Sequence, residues 1–337
     1  MSTYKDLQRL TGLSLATISK YYNGRSVLAA NARAIEEAAA TLDFRPNTIA
    51  RNLRSGRSRT VGVLLPDLNS SFYLSILAGI ELRLRQRGVS MLICADHSAE
   101  GGVGDAVREL AGRMVDGVIT VPTERAAPGL RELVARGTPI VMMDWIVEGL
   151  EADAVILDNQ HAGAMAIQQL IDRGHRDIAY IGGNGSPTLI ARGEGVRAQL
   201  ALRGRPVREE YLAAPDLSVE GARAAMQRFL MLEDRPTAVF CATDLLSVGA
   251  LIALNESGLR VPQDMSFIGF DMSSLARLTT PALDTISQRI DEIASTAADL
   301  MLARLGPHPS RDPITVTMSA DYHAGGSVAT LRERESV

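Results

Sequence analysis

From Val61 onward, short unbroken apolar runs alternate with stretches in which apolar residues recur every three or four positions. The runs at 61–65, 89–95, 116–121, 138–143, 154–157, 178–182, 237–242 and 265–270 read as strands buried on both faces. The stretches at 72–87, 103–113, 160–173, 190–203, 219–232 and 244–257 read as amphipathic helices. Strand followed by helix, repeated, predicts parallel sheets covered on both faces, and there are too many strands for one small sheet. A weak internal repeat favours a division into two lobes. TVGVLLPDLNSSFYLSILAGIELRLRQRG (60–88) and DIAYIGGNGSPTLIARGEGVRAQLALRG (177–204) share a strand, a polar loop and a helix ending in Arg-Gly. Two such lobes place a ligand between the carboxyl ends of their strands. The helix at about 289–304 and the strand PITVTMS follow the second lobe and are expected to cross back to the first.

The first part of the chain has a different texture. Tyr4, Leu7 and Leu10 mark one face of a short helix that Gly12 breaks. Ser14 is a good N-cap for a second helix, with Leu13 before it as a staple, and Asn23-Gly24 signals its end. A third helix over about 29–42 offers Ile35, Ala38, Ala39 and Leu42 for packing. Three short helices form a very small core that begins with a helix–turn–helix. In RPNTIARNLRSGRSRT (45–60), Pro46 can open a helix and Gly56 can end it. A helix that short falls below the ~12–15 residues needed for marginal stability in water, so it is expected to form only on a partner.

Charge sharpens this division. Residues 1–60 carry ten Lys or Arg and four acids, a net +6 inside a chain of net −4, so the remainder carries −10. A basic head on an acidic body suggests that the head meets a polyanion. No run of 18 apolar residues occurs, so no membrane span is expected. MSTYKDLQRL has no apolar export segment, and Cys94 and Cys241 lie in apolar runs without metal spacing. Together these favour a cytoplasmic protein with buried thiols. The five histidines are scattered, with His175 read as structural, and neither a metal site nor a cofactor is expected. GGNGS (182–186) lacks the spacing and the lysine of a phosphate loop. No nucleophile set argues for an enzyme.

Many ordered motifs resemble the lac repressor family of bacterial transcription regulators. In the head they are Lys5-Asp6, Gly12-Leu13-Ser14, Ala16-Thr17-Ile18-Ser19 and Asn23-Gly24, followed by Arg45-Pro46-Asn47, Ile49-Ala50-Arg51 and Leu53. In the body they are VGVLLPD, DNQHAGAMA, RGHRDIAYIGG, RPTAVF, GLRVPQDMSFIGFD and TTPALDTI. VMMDW (141–145) is similar to the purine and ribose repressors within that family. The resemblance spans nearly the whole chain. It implies an all-α helix–turn–helix head (1–45), a hinge helix and linker (46–60), and an α/β body like the periplasmic binding proteins. Lobe one is expected over 61–157 and about 288–318, lobe two over 158–287 and about 319–337.

That family implies a regulator, a repressor by expectation, that binds a pseudo-palindromic operator in double-stranded DNA as a homodimer. A small effector, expected to be a monosaccharide or derivative, sits between the lobes, with a nucleobase or nucleoside as the alternative. Leu15, Ala16 and Lys20 are then expected on base edges, with Ser14 capping and Thr17, Ser19 and Asn23 on caps and phosphates. Ile18 is expected in the core. Of Tyr21 and Tyr22, one is expected to cover the core and to turn its hydroxyl toward a phosphate. Leu28 stands where many relatives have a serine cap. Leu53 is expected to wedge into the minor groove, with Asn47, Arg51 and Arg54 on the flanking backbone. In the body, Asn69, Ser71, Phe72 and Tyr73 follow the first strand and suit a polyol or ring; capping by Ser70 or Ser71 is the plainer reading. Asp144 and Trp145 end another strand, where the Trp can stack on a ligand or fill core. The resemblance assigns effector contacts to Arg192 (in R-x-x-G), Asp244 and Asp271, with Thr243 in place of the family's Asn and Met272 in place of a second Asp. The dimer is expected through helices near 72–87, 103–113 and 219–257. A sugar-binding transport protein shares the body plan but has no use for a basic head and hinge.

Overall fold

The structure is a computed structural model and describes residues 2–22, 25–44, 57–68, 70–96, 105–205, 207–272, 275–310 and 312–331. The chain divides into two compact units, Met1–Arg59 and Thr60–Val337.

The first unit holds α1 (Tyr4–Thr11), α2 (Leu15–Tyr22) and α3 (Ala29–Thr41). Asp6 accepts the Thr3 backbone N–H (2.9 Å) and hydroxyl (2.8 Å), which fixes the start of α1. Gly12, at φ +70°, ends it by donating its N–H to the Gln8 carbonyl. The Ser14 hydroxyl accepts the Thr17 N–H at 3.2 Å, so the cap read from the sequence starts α2. Leu7, Ile18 and Ile35 are fully buried and meet Ala38 and Phe44. A core this small relies on aromatic rings. Tyr22 lies 5.7 Å from Tyr4, 5.2 Å from Tyr21 and 5.4 Å from Phe44, centroid to centroid. Both Tyr21 and Tyr22 therefore pack on the core, where only one was expected. The Tyr21 hydroxyl donates to Glu36 at 2.6 Å, joining α2 to α3 at the surface of the head. Leu28 precedes α3 without a side-chain cap and is 74% exposed.

The second unit contains two six-stranded sheets of matching order. The first is built from β1 (Thr60–Leu65), β2 (Ser90–Ala95), β3 (Gly117–Thr120), β4 (Ile140–Asp144), β5 (Asp153–Leu157) and β11 (Thr315–Met318), in the order β11-β5-β4-β3-β1-β2. The second is built from β6 (Ile178–Ile181), β7 (Leu212–Ala213), β8 (Ala238–Cys241), β9 (Ser266–Phe270), β10 (Asp284–Gln288) and β12 (Ala320–His323), in the order β12-β10-β9-β8-β6-β7. All pairings are parallel except that of β12 with β10. Central strands such as β3, β6, β8 and β9 are buried along their whole length, as unbroken apolar runs require.

In lobe one, α4 (Ser71–Gln86) and α11 (Ile290–Arg304) cover one face of the sheet through Ile76, Ile80, Leu84, Ala294 and Ala297. α5 (Asp105–Gly112) and α6 (Ala127–Ala135) cover the other through Val107, Leu110 and Leu130. Lobe two is covered by α7 (Asn159–Asp172), α8 (Pro187–Leu202), α9 (Val219–Leu230) and α10 (Asp244–Glu256), which share one core. The sequence reading lacked α6, β7, β10 and β12 as separate elements. β10 reads DTISQ, whose apolar content is too low to announce a strand, yet Thr285 and Ile286 are buried. The chain crosses between lobes from β5 to α7, from β10 to α11, and from β11 to β12. At one crossing the Asp158 N–H donates to the Met318 carbonyl at 2.9 Å, tying two of these strands together.

Candidate functional site

In each sheet the order reverses between the first strand and the third, and the carboxyl ends of the strands face the other lobe. Ligands bind α/β sheets at such switch points. The side chains gathered there come from both lobes.

From lobe one come Phe72 and Tyr73, in the first turn of α4, and Asp144 and Trp145 at the end of β4. Ser70 caps α4 by accepting the Tyr73 N–H at 3.4 Å, which leaves Ser71 exposed on the first turn. Phe72 and Tyr73 are half-buried on the lobe-one core, their rings 5.5 Å apart. Asp144 has φ +71°, and the Trp145 N–H reaches back to the Met143 carbonyl at 2.8 Å. This is a γ-turn with a left-handed centre, a strained form for a residue with a Cβ. Trp145 is half-buried and donates its indole N–H to the Pro122 carbonyl at 2.7 Å, so its ring is fixed in the wall.

From lobe two come Arg192, Thr243, Asp244 and Asp271. Arg192 is 4% exposed. Its Nε donates to Asn159 Oδ1 at 2.8 Å and its Nη1 to the Ala242 carbonyl at 2.6 Å. Its guanidinium lies 3.6 Å from the centroid of Phe270, a cation–π contact. Burial pulls its pKa down, against the opposing pull of Asp271 and Asp144. Close packing of α7 on α8 sets this position. A Cβ on Gly163 would lie 2.2 Å from the Arg192 carbonyl oxygen, and one on Gly195 would lie 1.9 Å from that of Gln160. The glycine of R-x-x-G is thus the point where the two backbones touch.

Thr243 caps α10 by accepting the Leu246 N–H at 3.2 Å. One Asp244 oxygen accepts the Leu245 N–H at 2.8 Å, and the other accepts the Ser71 hydroxyl across the cleft at 3.4 Å. Asp271, just past β9, has φ +54° and occupies the place in lobe two that Asp144 holds in lobe one. Both its oxygens accept from Gln288. Met272 is 2% exposed and packs in the lobe-two core, so it presents nothing to the cleft. Burial raises the carboxyl pKa of both Asp144 and Asp271, while Arg192 works in the opposite direction.

Phe72, Asp144, Gln288 and Ile293 line a narrow space of about 10 Å³ at the carboxyl end of the lobe-one sheet, whose walls come from lobe one except for Gln288. Asn159 and Gln288 join the site without having been singled out in the sequence. Asn159 lies inside the DNQHAGAMA motif, but its partner Arg192 is 33 residues away, and only the α7–α8 contact unites them.

In the head, Ser14, Ala16 and Lys20 are exposed and Leu15 is 39% exposed, while Ile18 on the opposite face is fully buried. Thr17 and Ser19 are half-buried between these faces. The sequence-predicted residues Asn23, Asn47, Arg51, Leu53, Arg54 and Asn69 lie outside the described residues. His175 is buried, bonded to Thr237 Oγ1 at 2.9 Å and to the Ala329 carbonyl at 3.1 Å, a structural role in lobe two. Among the described residues no His, Cys, Asp or Glu group is arranged to hold a metal, and no helix is long and apolar enough to cross a membrane.

A helical head with an exposed polar helix face, in one chain with a two-lobed body that converges charged and aromatic groups on a cleft, defines a ligand-responsive DNA-binding regulator. Residues 167–328 match the family model of the periplasmic binding protein-like domain. The chain is 34% identical over 310 residues to the ribose operon repressor of Escherichia coli strain K12, covering 90% of this chain and 93% of that protein. It is 31% identical over 307 residues to the HTH-type transcriptional repressor PurR of Actinobacillus pleuropneumoniae serotype 3, covering 90% and 91%. Among solved structures, a LacI family regulator from Enterococcus faecium with bound ribose superposes with a TM-score of 0.72 at 28% identity, covering 81% of this chain and all of that one. The protein belongs to the LacI family of transcriptional repressors. It is a regulator and not an enzyme, since these relatives are repressors.

Proposed function

We propose that this cytoplasmic repressor binds a pseudo-palindromic operator as a homodimer and that a monosaccharide or close derivative, held between the lobes, sets its affinity for DNA. The observation that carries the effector assignment is the convergence of Asp144 from lobe one with Arg192 and Asp271 from lobe two. Carboxylates accept from sugar hydroxyls and a guanidinium donates to them, while Phe72, Tyr73 and Trp145 offer apolar faces to a ring. A ribose operon repressor among the relatives and a LacI family regulator solved with bound ribose support the same class. The aromatic pair Phe72–Tyr73 and the likeness to a purine repressor favour a nucleobase or nucleoside as the second reading.

Thr243 and Asp244 join this effector set, as do Ser71 and Asn69. In the head, Leu15 and Ala16 offer apolar contact to base edges and Lys20 a cation, with Ser14, Thr17, Ser19 and Asn23 positioning the helix on phosphates. Asn47, Arg51, Leu53 and Arg54 complete the operator contacts, with Leu53 as the minor-groove wedge. Residues 1–45 form the head, 46–60 the hinge, 61–157 with about 288–318 lobe one, and 158–287 with about 319–337 lobe two. Dimerisation is supported by exposed leucines: Leu74 and Leu82 share one face of α4, and Leu275 and Leu278 are 46% and 78% exposed on lobe two. Effector changes the angle between lobes, and so the spacing of two hinges across a dimer.

A thermal-shift screen of monosaccharides, sugar acids, purines and nucleosides tests the effector class, because a specific ligand raises the melting temperature by mass action. A purine that shifts the melt while no sugar does would replace the first reading by the second. For the DNA role, affinity for native promoter fragments should weaken steeply between about 50 and 200 mM salt. Absence of binding across that range would refute it. A monomer mass in sedimentation at micromolar protein would refute the dimer.

A further inference from the structure

A second cavity lies in lobe two, apart from the cleft. It has a volume of about 230 Å³ and is lined by Arg176, Asp177, Leu200, Arg205, Arg208 and Tyr211. These residues stand at the start of β6 and just past the end of α8, the end of the lobe remote from Arg192. Along α8 the rise of ~1.5 Å per residue puts Leu200 about 12 Å from Arg192.

The three arginines of this cavity are not equivalent. Arg208 is committed: it reaches Glu210 at 2.9 Å, Asp234 at 3.3 Å and Asp177 at 3.4 Å, and it stacks on the Tyr211 ring at 4.3 Å. Arg205 makes no side-chain hydrogen bond or ion pair with any described residue, and its Nε is buried without an acceptor. Its backbone N–H closes the end of α8 on the Leu200 carbonyl at 2.9 Å, which fixes the root of the side chain. Arg205 as a whole is half-buried, so only its Nε–H is a buried donor without an acceptor, a kind of group that folded proteins seldom retain. The fixed fork of a guanidinium matches the oxygens of a carboxylate or a phosphate, and Arg176 also lines the cavity. The remaining walls are the Asp177 carboxylate, which faces Arg208 at 3.4 Å, and the apolar Ile178, Leu200, Leu212 and ring of Tyr211. The volume falls below the ~300–1,000 Å³ typical of drug-sized ligands, so the occupant is small.

We propose that lobe two holds a second ligand site, centred on Arg205, for a small oxyanion-bearing metabolite whose phosphate or carboxylate group pairs with the Arg205 guanidinium. This site is independent of the effector cleft. Because α8 carries Arg192 at one end and abuts the cavity at the other, occupancy of the two sites can be linked through one rigid element.

The test is calorimetric titration of the full-length protein with inorganic phosphate and, in a separate arm, with succinate, at constant ionic strength in chloride. At least one anion should bind saturably to the unaltered protein, and the responding arm identifies phosphate or carboxylate as the group recognised. Arg205→Met should weaken that binding at least tenfold and should melt no lower than the unaltered protein in the absence of anion, since it removes an unpaired buried donor. Arg205→Lys, which keeps the charge but loses the fork, should bind with intermediate affinity and covers the case in which the methionine variant fails to fold. Saturable binding of neither anion, or equal binding by the unaltered protein and a folded Arg205 variant, would overturn the proposal.

Discussion

Asp271 accepts two hydrogen bonds from Gln288, one from the backbone N–H and one from the side-chain amide, each 2.8 Å long. Asp271 directly follows β9 at the cleft, and Gln288 is the last residue of β10 before the chain passes from lobe two to lobe one. A carboxylate proposed to meet the effector is thereby bonded directly to a segment where the chain crosses between the lobes. A ligand that draws on Asp271 competes with, or reinforces, the bonds that hold Gln288.

Gln288→Ala should test this coupling. Removing the amide leaves a largely buried carboxylate short of one partner, a loss of about 1–3 kcal/mol in stability. Effector affinity, once a ligand is known, should fall about tenfold in calorimetry, and the response of DNA binding to effector should shrink with it. An unchanged response with an unchanged melting temperature would show that the pair is incidental.

A pH dependence follows from Asp144. Burial raises its carboxyl pKa above the ordinary 3.8, although Arg192 pulls it down. A carboxyl with a higher pKa folded than unfolded binds its proton more tightly in the folded state. Its contribution to stability is present below about pH 3.8 and is lost as pH rises through the folded value. Asp144→Asn has no charge to bury. Effector-free Asp144→Asn should therefore melt above the unaltered protein at pH 7, with the difference closing toward pH 4. Thermal melts across that range check it, and a uniform destabilisation at every pH would contradict it.

Lys20 is exposed on α2, on the helix whose Ile18 is buried. Lys20→Ala should weaken operator binding without lowering the stability of the head. If Lys20 meets a phosphate, the slope of log affinity against log salt should drop by about one, equally for specific and nonspecific DNA. If it meets a base, discrimination at one operator position should fall instead, by about 1–3 kcal/mol. Filter binding over a salt series separates the two outcomes, and unchanged affinity would remove Lys20 from the interface.

Arg304 at the end of α11 donates to both oxygens of Asp153, at 2.7 and 2.5 Å, and Asp153 also accepts the Ile314 N–H at 2.8 Å. The Asp153 side chain is fully buried. Arg304→Ala should destabilise the body by about 3–5 kcal/mol, because it strands a buried charge. Denaturant melts measure this, and a loss below about 1 kcal/mol would show that solvent reaches Asp153 without difficulty.

The legibility of the site differs residue by residue. Asp144 and Trp145 could be read because an apolar run stops at them, and the end of a parallel strand is where a ligand is met. Ser14 and Ser70 could be read as caps because capping is a local interaction of three residues. Gln288 could not, because DTISQ carries no clear period and its partner Asp271 lies 17 residues earlier on the neighbouring strand. Tyr21 and Tyr22 could be placed in the head but not divided between core and surface, since the partners Tyr4, Glu36 and Phe44 come from other parts of the head. Nothing in the sequence singles out Arg205, and only the folded lobe shows that its Nε has no acceptor.

By itself the sequence determined the alternation of strands and helices, the basic head on an acidic body, the helix caps and the family. Each of these is either local along the chain or a repeated pattern that survives without knowledge of contacts. The tertiary structure alone decided which side chains face one another: Arg192 against Asn159 and Phe270, Asp271 against Gln288, Ser71 against Asp244. The last of these pairs is 173 residues apart. No periodicity encodes such a meeting, because it is fixed by how packed helices and sheets bring distant segments to the same cleft.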